Sequence, residues 1–227
     1  MTPKTLKTPS AIPSPTDRRQ RRSAEIRERL FRAALKLFAK QGFAETTVED
    51  ITNAADVGKG TFFNYFPSKE HIVLEFGEMQ FAKLKSAVAS LRNSNQDVRT
   101  FLLALPGYMT QEPIRNPAIV RILLQGFLSG SSIRELMLDL HHRVQALHAE
   151  IMQIGQRRGE IRTDFPADEL AMTFRQSVFG TLLVWSLVGD ESLAKRIEST
   201  FRVLWTGLAQ RNSSGIALVE SSGEQRE

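Results

Sequence analysis

Residues 46–69 read TTVEDITNAADVGKGTFFNYFPSK, and no other stretch of the chain restricts its folding so closely. Thr46 with Glu49, and Thr47 with Asp50, both have the capping-box spacing, so either threonine can open a helix here. Ile51, Ala54 and Ala55 give that helix an apolar side. Asp56, Val57 and Gly58 make a turn, with Val57 as an apolar plug. A further short helix over 59–65 stops ahead of Pro67, which disfavours helix in the residue before it. Upstream, Ile26, Leu30, Ala33, Ala34, Leu37 and Phe38 recur at helical spacing and predict a helix over 22–41 that Gly42 ends. Phe43 then packs back. The pattern is two short helices joined by a tight turn behind a longer one, a helix-turn-helix arrangement.

Charge placement adds to this. The 227 residues carry 30 Lys and Arg against 25 Asp and Glu, a formal net charge of +5. Residues 1–30 hold 8 basic and 3 acidic side chains, while 31–227 hold 22 of each, so the whole excess lies just upstream of 46–69. A local basic excess favours a polyanion, either nucleic acid or an anionic membrane surface. The DRRQRR run contributes Arg18, Arg19, Arg21 and Arg22. Residues 1–17, rich in Pro, Ser and Thr in their first 15, read as a disordered arm with no apolar run of a signal peptide. No stretch reaches the roughly 18 consecutive apolar residues of a membrane span. The chain has no cysteine, which excludes thiolate metal sites and cysteine nucleophiles and fits a reducing compartment.

Beyond 69 the pattern stays helical to about 210, and the predicted class is all-α with about nine helices. A fourth helix starts near Lys69 and carries Phe81, Leu84, Val88 and Leu91. A fifth holds Phe101, Leu102 and Leu105 and is disrupted near Pro106 and Gly107. A sixth carries Ile119, Ile122, Leu123 and Phe127. In the seventh, Met137, Leu140, Val144, Leu147, Ile151 and Ile154 are spaced alternately by three and four, a seam for lengthwise packing. The eighth covers about 167–188 and is apolar or small nearly all round, which predicts burial on more than one side. The ninth carries Leu193, Ile197, Phe201, Leu204 and Leu208. The predicted organisation is a disordered arm over 1–17, a head over 18–68, a helical body over 69–210 and a disordered tail over 211–227.

The head resembles the DNA-binding domain of the TetR family of transcriptional regulators. The matching text is RLFRAALKLFAKQGFAETTVEDITNAADVGKGTFFNYFPSKEHIV, within about 24–76, or roughly a quarter of the chain. Family members usually carry Ala-Gly-Val-Ser at the turn, where this chain has Ala55-Asp56-Val57-Gly58. They usually carry tyrosine at the position of Phe63. The resemblance implies a cytoplasmic homodimer that represses transcription from a palindromic operator on double-stranded DNA, each head reading a half-site. It also implies that a small molecule enters the body, shifts the fourth helix through Phe76 and Met79 to Phe81, and respaces the two heads.

Phosphate contacts position such a head and base-edge contacts specify sequence. The expected phosphate set is Thr47, Lys59, Thr61, Tyr65 and Lys69, with Gly60 allowing close backbone approach. Lys59 and Thr61 sit where a helix N-terminus also favours an anion. Asn64 is the candidate for base reading, since an amide pairs with the adenine edge. Phe63 has no hydroxyl, leaving it packing or a thymine methyl to contact. Arg22, with its arginine neighbours, supplies backbone or minor-groove contacts. Phe62 and Phe66 read as core, Tyr65 as contact or packing, and Lys69 alternatively as a solvated helix start.

In the body, Phe101, Tyr108, Met109, Phe127, Met137 and Phe174 are candidate pocket residues for a largely apolar effector. The last two long helices, implied by the resemblance to form the dimer bundle, offer Val178, Gly180, Thr181, Trp185, Phe201 and Trp205 as the interface. His141, His142 and His148 share one helix and are expected to be solvated or partner-facing rather than metal ligands. Asp164 and Asp168 read as caps. No cofactor loop, metal site or catalytic constellation appears, so no enzyme is expected. The alternative is an all-α binding module at a membrane surface or protein partner, which explains the basic arm but not the ordered 46–69 pattern.

Overall fold

The structure is a computed structural model that describes residues 15–109, 117–128, 134–189 and 192–210, with side chains for all of these except 15–17 and 123–128. The described residues form nine helices and no strand beyond an isolated bridge between Ile161 and Ala209. The first helix, α1 (Pro15–Gln41), begins earlier than the apolar spacing predicts, so the DRRQRR run is helical. Proline suits a first helical position.

Leu30, Phe31, Ala34, Leu35 and Phe38 of α1 pack with Ile51 of α2 (Val48–Ala54) and Phe62 of α3 (Lys59–Phe63). Ile72, Val73 and Phe76 of α4 (Glu70–Arg92) complete this head core. α3 is shorter than expected, because Asn64 and Tyr65 close back on Thr61 and Phe62 at 3.2 and 2.9 Å before Pro67. Further along, α4 places Leu84, Val88 and Leu91 in a second core with α5 (Val98–Met109), α7 (Arg134–Arg157), α8 (Ala167–Val188) and α9 (Leu193–Leu208). α4 therefore belongs to both cores, as do α8 and α9 through Trp185, Leu193 and Ile197 on the head side. α6 (Pro117–Leu128) adds Ile119, Val120 and Ile122 to the head side, against Trp185.

Pro106 does not end α5; the helix runs through it to Met109, with Pro106 buried in the last turn. The α7 seam is satisfied mainly by α8 and α4. α8 packs against α7, α9 and α6, so it is covered on more than one side. Val184, Leu187 and Val188 are nevertheless 46, 66 and 57% exposed in the single chain, so one face is left open.

Candidate nucleic-acid interface and internal cavity

The two candidate threonines separate completely. Thr47 is the N-cap of α2: Asp50 N–H donates to its hydroxyl at 3.1 Å, and its own N–H donates to the Asp50 carboxylate at 2.9 Å. The Thr47 backbone N–H and hydroxyl hold the Asp50 carboxyl below the ordinary carboxylate range. Thr46 is fully buried and donates to the Gly42 carbonyl at 2.7 Å, so it fixes the preceding turn and presents nothing outward.

The turn holds its shape at a residue that is not glycine. Asp56 has φ of +51°, and Arg29 of α1 donates to the carbonyls of Ala55 and Asp56, capping the end of α2. Gly58 then caps α3 with backbone alone. From that start Lys59, Gly60, Phe63 and Asn64 are exposed, while Thr61 is half-buried. Phe63 is 55% exposed and meets the buried Phe62 edge-on at 5.4 Å. Tyr65 is half-buried against the head core. Arg22 is exposed on α1, held on a helix rather than on a loose arm.

Lys69 departs from both sequence readings. Its ammonium donates to the carbonyls of Phe43, Ala44 and Thr46 at 2.8, 3.1 and 2.9 Å. An ammonium has three N–H donors, so all three are committed within the head. Lys69 is neither a solvated helix start nor free to reach a phosphate in this arrangement.

Between α4, α7 and α8 lies a cavity of about 260 Å³. Gly77, Gln80, Phe81 and Leu84 of α4 line it, facing Met137, Leu140, Val144 and His148 of α7, and Phe174, Val178 and Leu182 of α8. Three of the six candidates, Met109, Met137 and Phe174, are on this wall. Phe101 is 7% exposed and packs in the body core instead, and Tyr108 is 42% exposed. The Phe127 side chain lies outside the described residues. The wall also includes His141 and Arg175. His141 and His148 are therefore turned into the body, contrary to the expected solvent or partner role. Burial first, and then the nearby Arg175 charge, push both imidazoles below their ordinary pKa. Arg175 follows Phe174 directly in the sequence, at the edge of the apolar face of α8.

Among the interface candidates, Val178 lines the cavity, while Gly180 and Thr181 line a shallow groove between α8 and α9. Trp185, Phe201 and Trp205 are 7, 5 and 7% exposed in the single chain and belong to its own cores. Their size is spent inside the subunit, where an aromatic buries most area.

A family model for bacterial regulatory proteins of the tetR family matches residues 30–76, from α1 into α4. The crystal structure of Thermus thermophilus FadR, a TetR family transcriptional repressor in complex with lauroyl-CoA, aligns with a TM-score of 0.63 and 30% sequence identity over 82% of this chain and 97% of that one. The chain belongs to the TetR family. It is a DNA-binding transcriptional regulator with a helix-turn-helix head and a helical body. The repressor NicS of Pseudomonas putida is 28% identical over 157 residues, 64% of this chain and 70% of its own. The regulator TcmR of Streptomyces glaucescens is 44% identical over 73 residues, 32% of this chain and 30% of its own. No helix among the described residues is long and apolar enough to cross a membrane.

Proposed function

We propose that this TetR-family regulator is a non-catalytic, cytoplasmic repressor that binds a palindromic operator as a homodimer and releases it when an apolar effector enters the α4–α7–α8 cavity. The observation that carries this reading is the double membership of α4. Phe76 is 1% exposed within the head core, and Gly77, the next residue, lines the cavity. Packed cores do not deform continuously. A ligand that wedges α4 away from α7 therefore moves Ile72, Val73 and Phe76, and the head with them. The lauroyl-CoA held by the Thermus thermophilus FadR repressor supports an acyl chain as the kind of body such a cavity takes.

On the DNA side, Lys59, Gly60 and Thr61 form the phosphate-facing start of α3. Phe63 and Asn64 project towards the groove, and Thr47 and Arg22 contact the backbone beside it. On the body side, the exposed Val184, Leu187, Val188 and Val203 of α8 and α9, with Gly180 and Thr181, form the dimer face.

Fluorescence anisotropy with the DNA upstream of the chain's own gene tests the reading. Salt-dependent, sequence-selective binding to a palindrome, weakened by dodecanoate, is expected. Equal binding to any duplex or to anionic vesicles would favour the surface-binding alternative.

A further inference from the structure

Arg175 is the one strongly basic side chain on the cavity wall, and that wall carries no Asp or Glu. Its Nη1 and Nη2 lie 3.1 and 3.0 Å from the two ring nitrogens of His141, and its Nε donates to the Gln145 amide oxygen at 3.0 Å. Both partners are neutral. A neutral imidazole has a single acceptor nitrogen, so His141 can satisfy no more than one of the two guanidinium amino groups. N–H donors are left over beside the cavity. Among the described residues no carboxylate pairs with Arg175, and its burial is opposed by no acidic neighbour. A half-buried cation in an apolar wall, held in place by neutral groups, is a costly arrangement unless an anion joins it. From the α4 side, Gln80 presents an amide to the same cavity, and its Oε1 is buried with no hydrogen-bond partner. The rest of the wall is aliphatic and aromatic.

We propose that Arg175, backed by His141 and Gln145, is an anion seat, and that the effector is an apolar carboxylate whose alkyl or aryl body fills the cavity while its acid group pairs with Arg175. The proposal rests on the cavity being the effector site. Arg–carboxylate pairs are commonly bidentate, which would orient the ligand as well as hold it. A carboxylate so fixed on α8 lays its apolar body against Phe174 and the α4 residues Phe81 and Leu84, where it wedges α4 away from the α7–α8 side of the cavity. Gln80, whose amide can present either end, selects for a second polar group on the ligand. A thioester places no charge at this seat, so the free acid is favoured over its coenzyme A ester.

The test is displacement of Nile red, a neutral apolar dye, from the full-length protein by decanoate, decanol and decanoyl-CoA, with Arg175→Gln and Arg175→Lys as variants. Decanoate is expected to displace the dye at about tenfold lower concentration than decanol, the scale of one charge-assisted pair. Arg175→Gln removes that preference without changing decanol, and Arg175→Lys keeps part of it. Equal potency of decanoate and decanol overturns the anion seat while leaving the cavity as effector site. A preference that survives Arg175→Gln, or decanoyl-CoA acting more potently than decanoate and independently of Arg175, also overturns it. Failure of the dye and all three ligands to bind removes the effector-site reading as well. Should Arg175→Gln lose its helical signal, the decanoate-to-decanol ratio on the unaltered protein decides the matter.

Discussion

The Lys69 ammonium donates to the Phe43 carbonyl at 2.8 Å and lies 4.7 Å from the centroid of the Phe43 ring. With Ala44 and Thr46 as its other acceptors, it draws the chain between α1 and α2 onto the start of α4. Lys69→Met removes the donor for three carbonyls, two of them reached in partly buried surroundings. The expected cost is about 2 kcal/mol, in the range for hydrogen bonds to a charged group. Urea unfolding without DNA checks this. A residue acting solely on phosphate would leave the DNA-free transition where it was.

Asp56 occupies a left-handed conformation, φ +51°, at the position where the family usually has glycine. Its carboxylate is fully exposed and 3.7 Å from Arg29, an exposed pair of little worth. Asp56→Gly relieves the Cβ strain and keeps the backbone carbonyl that Arg29 holds. A gain of about 0.5 kcal/mol in thermal or urea unfolding is expected, whereas Asp56→Val loses more than that, because a β-branched residue resists this region.

The fates of particular residues show what the sequence could reveal. Periodicity located the apolar faces of the helices, because burial and helical spacing are linked by geometry alone. Capping-box spacing left Thr46 and Thr47 open, and only the packing of Gly42 and Phe43 decides between them. Lys69 was readable as a charge but not as a clamp, since its acceptors lie more than twenty residues away in the chain. The same holds for Arg175, His141 and His148. A helix pattern states which face is apolar, but not whether a polar residue at its edge turns to solvent or into a cavity. Large aromatics misled in the opposite direction. Trp185, Phe201 and Trp205 were interface candidates because they lie on the last two long helices, yet the chain's own cores already use them.

That placement changes how dimerisation should be probed. Leu187 and Val203 are 66 and 70% exposed and can be altered without disturbing the subunit. Leu187→Asp together with Val203→Asp is expected to yield a helical monomer in sedimentation velocity, with operator affinity lost accordingly. Trp185→Arg is expected to unfold the chain instead, by about 3–5 kcal/mol or more, since it places a charge where an aromatic was buried. A dimer that survives the double aspartate substitution would place the interface elsewhere.

Gly155 explains how the end of the body is closed. A Cβ there would lie 2.6 Å from Ile161 Cδ1 and 3.2 Å from its Cβ, and Ile161 is fully buried. Ile161 cannot easily retreat, because Arg162 N–H donates to Leu208 and Gln210 N–H to Glu160, each at 3.0 Å. Gly155→Ala improves helix propensity by about 1 kcal/mol but overpacks the contact by roughly 1–3 kcal/mol. Net destabilisation of about 1 kcal/mol is expected in urea unfolding. A stabilised variant would mean that α7 and the 159–162 turn can separate at little cost.

The cavity histidines give the body a pH dependence of fixed sign. His148 Nδ1 lies 2.9 Å from the Val144 carbonyl oxygen, and its ring is 6.1 Å from that of Phe174. Burial, and secondarily Arg175, lower its pKa below the ordinary 6.5, although the Val144 carbonyl opposes this. His141 is lowered by burial, then by Arg175 and His142. Above the unfolded value both states are neutral and the histidines contribute nothing to the pH dependence. As pH falls through about 6.5, the unfolded chain takes up protons that the folded chain resists, so stability falls until the folded pKa values are reached. Urea unfolding at pH 7.5 and 5.5 should therefore show a loss that shrinks in His148→Leu and shrinks further when His141→Leu is added. If the two cavity variants lose as much stability as the unaltered chain over this interval, the imidazoles are not held neutral in the body.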